Sequence, residues 1–144
     1  MKTHKILIKN FLFVFFFILF AQSLSYGQIS VIVSSSSSHK LSKDEAKEIF
    51  SGSKTTWSNG SKVEVVDQSE SEVGKKFYDS FLGKAVNQVR VQWTKLILSG
   101  QAAAPIKATN DADVKKSVYG SPNAVGYISS KSLDNSVKEL FKIE

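Results

Sequence analysis

Hydroxyls and backbone amides are the main chemistry this chain offers. Five consecutive serines, Ser34 to Ser38, and a second cluster, Asp67-Gln68-Ser69-Glu70-Ser71-Glu72, each follow a short β-branched run and precede a helical pattern. Strand-to-helix junctions carry free backbone amides, and the helix dipole with neighbouring hydroxyls makes them receptive to a small oxyanion. Ligands of open α/β sheets sit where strands end and helices begin. Ser34, Ser35, Ser36, Ser69 and Ser71 are therefore the candidate oxyanion ligands. Two plainer readings stand beside this one. A serine run is as readily a flexible linker, and Ser69 serves equally well as an N-cap and nothing more. Glu70 and Glu72 also place carboxylates in the first turn, where they repel an anion.

Other chemistries find little support. The chain has no cysteine, which excludes a thiol nucleophile, a disulfide framework and a lipid-anchored cysteine. Of two histidines, His4 lies in the amino-terminal segment and His39 stands alone in a loop, where a solvated side chain is the ordinary outcome. The acids are scattered at helix starts, as capping and the macrodipole explain, without the spacing of metal ligands. No Gly-x-Ser-x-Gly elbow accompanies the serines. The expectation is a non-enzyme without cofactor or metal.

Lys2, Lys5 and Lys9 precede the apolar run Phe11 to Ala21, and a polar, small-residue stretch runs from Gln22 to Gly27. That is the layout of a secretory signal, and the run falls short of the roughly 20 apolar residues a membrane span needs. Ser25 and Gly27 suit a cut before Gln28, with Ala21 offering a second. The reading is residues 1–27 as signal peptide and 28–144 as a domain secreted or held in the periplasm, touching a membrane only through the uncleaved signal. Cutting there takes three of the 19 basic residues and none of the 13 acids, leaving +3 on the remaining 117 residues of 144. With Arg90 its only arginine and no dense basic run, the domain gives nucleic-acid binding little support.

The elements that must position these groups alternate. Ile29 to Val33 reads as a strand. Ser42-Lys43-Asp44-Glu45 is a capping box opening a helix from about Lys43 to Ser51, ended by Gly52. Asn59-Gly60 marks a turn before a strand at Lys62 to Val66. Ser69 to Glu72 reads as a second capping box, with Val73, Phe77, Phe81 and Leu82 on one helix face and Gly83 closing it. Val86, Val89, Trp93, Leu96 and Ile97 mark a longer helix stopped by Gly100. A loop with Pro105 leads to a helix capped by Asn110 or Asp111 and running to Gly120. Ala124 to Ile128 is a strand in which Gly126 signals a bulge or a close backbone approach, and Val137 to Ile143 reads as either a last strand or a frayed helix, with strand the favoured of the two. This order predicts one α/β domain, a mostly parallel sheet flanked by helices.

Several of these residues together resemble a known family. Leu41-Ser42, Glu48-Ile49-Phe50-Ser51-Gly52, Thr56-Trp57-Ser58-Asn59-Gly60, Val63 to Val66 before a serine-bearing helix start, Phe77 to Phe81, and Asn123-Ala124-Val125-Gly126-Tyr127-Ile128 resemble one lobe of the phosphate-binding protein of bacterial ABC transporters, in a short, single-lobe secreted form. The resemblance implies a periplasmic-binding-protein-like lobe that binds phosphate or a similar oxyanion without catalysis and is linked to phosphate transport or sensing. Full-length members hold phosphate with an arginine and a Gly-Ser-Gly-Thr helix start. Here Gln68 and Glu70-Ser71-Glu72 replace that pattern, and only Ser69 and Ser71 carry over as hydroxyls. Full-length members also close two lobes on the ligand, so a single lobe leaves one wall to a second copy or another envelope protein. The alternative is a lobe that has lost its ligand and docks on an envelope partner through Trp57 or the Phe77 to Phe81 helix, with Trp57 equally readable as core.

Overall fold

The computed structural model describes residues 27–144, so the signal-peptide reading, apart from Gly27, falls outside the described residues. Its elements are β1 (Ile29–Ser34), α1 (Lys43–Ser51), β2 (Glu64–Asp67), α2 (Glu72–Lys76) running on as a π-helical stretch (Phe77–Leu82), α3 (Val86–Leu98), β3 (Ile106–Lys107), α4 (Asp111–Tyr119), β4 (Ala124–Ser129), a 3-10 turn (Ser130–Ser132) and β5 (Val137–Ile143). They form one five-stranded sheet in the order β3-β2-β4-β1-β5. β2 is parallel to β3 and β4, whereas β1 runs antiparallel to both β4 and β5. Four strands therefore share one direction and β1 alone opposes them. Among the described residues no helix is long and apolar enough to cross a membrane.

Alternation along the strands explains why both faces are covered. Ile29, Val31 and Val33 of β1, with Val65, Val125 and Tyr127, face a layer made by α1, the α2–π helix and α3, which contribute Ile49, Phe50, Phe77, Phe81, Val89 and Trp93. Ile32, Val66, Ala124 and Ile128 face the other way onto Val114 and Val118 of α4. Gly126 belongs to that second contact. A Cβ there would lie 2.6 Å from Val114 Cγ1 and 3.2 Å from Val118 Cγ2, while β4 keeps an unbroken register with β1. The glycine marks close approach of a helix, not a bulge.

The capping signals mostly hold. Ser42 accepts the Glu45 amide while Glu45 reaches back to Ser42, and Gly52 closes α1 at φ 82°. Asn110, not Asp111, caps α4. The second capping box is a correction: Ser71 is the N-cap, accepting the Gly74 amide, and α2 begins at Glu72. Gln68 O takes the Ser71 amide at 2.9 Å, so a turn over residues 68–71 is completed before the helix starts. Strand β3 falls where the sequence predicts loop. Its two residues extend only because Val66 and Asp67 offer a parallel edge to pair with.

Two carboxylates make stability depend on acid. The Ser42 amide, followed by Lys54 and the Ser42 hydroxyl, lowers the Glu45 carboxyl from 4.5 to about 2. Lys115 and then Ser136 lower Asp134 from 3.8 to about 2. Because both folded values are depressed, their stabilisation is complete above the ordinary values and is lost as pH falls towards 2. Melting temperature should drop as pH goes from about 5 to 2. Ser42→Ala, costing about 1 kcal/mol at neutral pH, should leave most of the Glu45 share of that slope, because the residue-42 amide and Lys54 still hold the carboxylate. A pH-independent melting curve over this range would contradict the assignment.

Candidate functional site

Strand direction separates the two serine clusters. Ile29 of β1 pairs with Ser129 at the end of β4, and Val33 pairs with Val125 near its beginning. Glu64 at the start of β2 lies beside Ala124. The end of β2, with the residues that follow it, therefore shares an edge of the sheet with Ser129 and Ile29, and Ser34 sits at the opposite edge. The length of β1 puts about 17 Å between them. Ser69 and Ser71 are brought together, and Ser34, Ser35 and Ser36 are not brought to them.

The serine run is a built turn. Ser37 N donates to Ser34 O at 2.9 Å, Ser34 Oγ and Ser36 Oγ share a hydrogen bond at 3.0 Å, and His39 N donates to Ser37 Oγ. Ser35 and Ser36 are exposed, whereas Ser34 and Ser37 are buried. His39 is not a free solvated side chain. Its ring stacks on Trp57 with centroids 4.1 Å apart, and Nε2 meets Asn123 Oδ1 at 3.1 Å. Trp57 is 3% exposed and donates Nε1–H to Asn123 O at 3.0 Å. It is core, which removes it as a docking surface. Phe77, Tyr78 and Phe81 are buried too, so the second docking surface considered is likewise interior.

At the other edge, Gln68 organises the ends of β2, β4 and α4. Its side chain is fully buried. Nε2 donates to Asp111 Oδ1 and to Tyr127 O, both at 2.8 Å, and Oε1 accepts Ser71 Oγ at 2.9 Å. Asp111 Oδ2 accepts from Ser129 N and Ser132 Oγ. Tyr127 OH donates to Asp67 Oδ1 at 2.7 Å. Burial, followed by the Asp67 carboxylate, pushes the Tyr127 phenol far above its ordinary value and raises Tyr78 in the same way. Sequence reading missed Gln68 and Asp111 as organisers. The only signal was an amide placed where an apolar strand ends, and that carries no direction. Gln68→Leu preserves volume but leaves the buried Tyr127 O and the half-buried Asp111 Oδ1 without their amide donor, while Ser71 keeps Gln68 O and Gly74 N, so it should cost about 1–3 kcal/mol in urea unfolding. An unchanged midpoint would show that the network contributes little.

Ser71 Oγ is doubly engaged, accepting Gly74 N at 2.9 Å and donating to Gln68. Ser69 is different. The residue is 8% exposed, no hydrogen bond to its hydroxyl is found among the described residues, and that hydroxyl is not sealed from solvent. The amides of Glu72 and Val73 open α2 without intrahelical partners. The neighbouring carboxylates are locally neutralised. Glu70 Oε1 is shared by Arg90 at 3.1 Å and Lys107 at 3.2 Å, with Lys107 and then Arg90 holding its carboxyl below the usual range. Glu72 pairs with Lys75 at 2.8 Å. The same edge holds a cleft of about 970 Å³ whose walls include Gly27, Ile29, Glu72, Val73, Lys76, Ser129 and Lys131.

The chain is thus a helix-flanked sheet with one opposing strand, and the recess at this end is lined by Glu72 and Val73 but not by Ser69 or Ser71. No family model matches the chain, and no curated protein matches it. Solved structures do match. A protein assigned as a phosphate ABC transporter substrate-binding protein from Clostridium perfringens, with phosphate bound, is 21% identical with a TM-score of 0.62, over 79% of this chain and 45% of that one. An ABC-type phosphate transport receptor from Vibrio cholerae is 21% identical with a TM-score of 0.60, over 79% and 46%. PstS from Borrelia burgdorferi is 15% identical with a TM-score of 0.58, over 79% and 47%. The fold is thus shared with phosphate-binding proteins, and this chain spans less than half the length of each.

Proposed function

We propose that this protein is a non-catalytic solute-binding domain, secreted or periplasmic after cleavage before Gln28, that takes phosphate or a similar oxyanion at the start of α2. The observation that carries the reading is Ser69, a largely buried residue whose hydroxyl has no hydrogen bond among the described residues and keeps contact with solvent, beside the free amides of Glu72 and Val73 at the ends of parallel strands. Ser71 contributes by holding that turn. The fold shared with phosphate-transport proteins supports the ligand class and a link to phosphate transport or sensing. Ser34, Ser35 and Ser36 lie about 17 Å away and cannot share one ligand with Ser69, so they have at most a separate contact.

A single lobe leaves its ligand facing water, which weakens each hydrogen bond. Affinity alone should therefore be modest, and a second copy or another envelope protein supplies the missing wall. Amide NMR of residues 28–144 titrated with phosphate, against sulfate and chloride, tests the reading. Saturating shifts are expected at Ser69 to Val73 and not at Ser34 to Ser36. No shift beyond the salt controls at millimolar phosphate would overturn it.

A further inference from the structure

We propose that the outward face of α3 rests on an anionic lipid surface. Only Val89, Trp93 and Leu96 of this 13-residue helix are buried. At 3.6 residues per turn, Val91 and Leu98 fall opposite that stripe, and they are 56% and 83% exposed, with Ile97 40% exposed on the flank. The charged side chains of the helix, Arg90 and Lys95, are both cations, and Lys84 stands just before it. Lys107 of β3 joins the same surface, because its ammonium and the Arg90 guanidinium share Glu70. Exposed aliphatic side chains are thus set among four cations and one carboxylate.

Charge decides the occupant. A second copy laid on this face would bring like charges together. A folded partner protein needs about 800 Å² on each side, more than three aliphatic side chains provide. A bilayer surface needs no shaped complement. Its headgroup region accepts isolated aliphatic side chains, and anionic lipids meet the surrounding cations. The inference stands apart from the oxyanion reading and adds a contact beyond the amino-terminal segment.

The sheet and both apolar clusters are built between Ile29 and Ile143, so residues 28–144 carry their own core and can be tested without the apolar run that precedes them. Co-sedimentation with phosphatidylglycerol–phosphatidylcholine vesicles should show binding that pure phosphatidylcholine lacks and that weakens with salt. Val91→Ser/Leu98→Ser should reduce it about tenfold or more, and Lys95→Glu should reduce it as well, with unchanged circular dichroism because these side chains are exposed. Equal sedimentation with neutral vesicles, retention by both variants, or self-association through α3 in lipid-free ultracentrifugation would each overturn the proposal. Binding to soluble polyglutamate with no binding to anionic vesicles would also overturn it, pointing to an acidic protein.

Discussion

Gly74→Ala is expected to cost at least about 3 kcal/mol, a large share of the roughly 5–15 kcal/mol that holds a domain of this size folded, and to lower the unfolding midpoint accordingly. A Cβ on Gly74 would lie 2.0 Å from Gln68 O and 2.7 Å from both Gln68 C and Ser69 Cα. All three are backbone atoms, so no rotamer change relieves the clash. Relief requires lifting α2 from the 68–71 turn, which breaks the Ser71 N to Gln68 O bond and the Gly74 N to Ser71 Oγ cap. Gln68 would lose its grip on Ser71, and the proposed oxyanion site would go with it. Gly60→Ala is the control. Gly60 has φ 84° but nothing within 4 Å, so its cost should be about 1 kcal/mol from conformation alone. Urea unfolding of the two variants separates the effects, and a Gly74→Ala midpoint near wild type would show that the turn can shift at little cost.

Trp57→Ala should destabilise by about 3–5 kcal/mol, and it should do so as a folding defect. The indole is 3% exposed, its Nε1–H is held by Asn123 O, and His39 stacks on its face. Asn123 O also receives the Glu64 amide, so the loss loosens the entry to β2 together with the serine turn. Trp57→Phe keeps a ring beneath His39 but loses the hydrogen bond and part of the buried indole, for about 1–3 kcal/mol. Thermal unfolding followed by circular dichroism should rank wild type above Trp57→Phe above Trp57→Ala. A folded Trp57→Ala protein with a wild-type midpoint would return Trp57 to the surface and reopen the docking reading. Loss of partner binding in this variant would otherwise report only unfolding.

Local signals were legible where their physics is local. Ser42 and Glu45 satisfy each other within four residues, and Gly52 takes a left-handed φ at the end of α1. Asn110 caps α4 from one residue away. The alternation of Ile29, Val31 and Val33 follows from the pleat whatever the neighbours are, and those features placed most of the elements. The resemblance to phosphate-binding lobes rested on such stretches, and the shared fold agrees with it.

What the tertiary structure decided is relational. The direction of β1 against β4 is a pairing between residues about 100 positions apart, and it alone puts Ser34 to Ser36 and Ser69 at opposite edges. β3 is a strand only because β2 lies beside it. Gln68 is an organiser only because Asp111 and Tyr127 O arrive within 2.8 Å of its amide, and Arg90 is a partner of Glu70 across 20 residues. The sequence by itself determined which segments become strands and helices and which hydroxyls stand at their junctions, because caps, turns and periodicity act over a few residues. Which junctions face one another was decided by the sheet, because register and strand direction are set by packing between distant segments that no short stretch encodes.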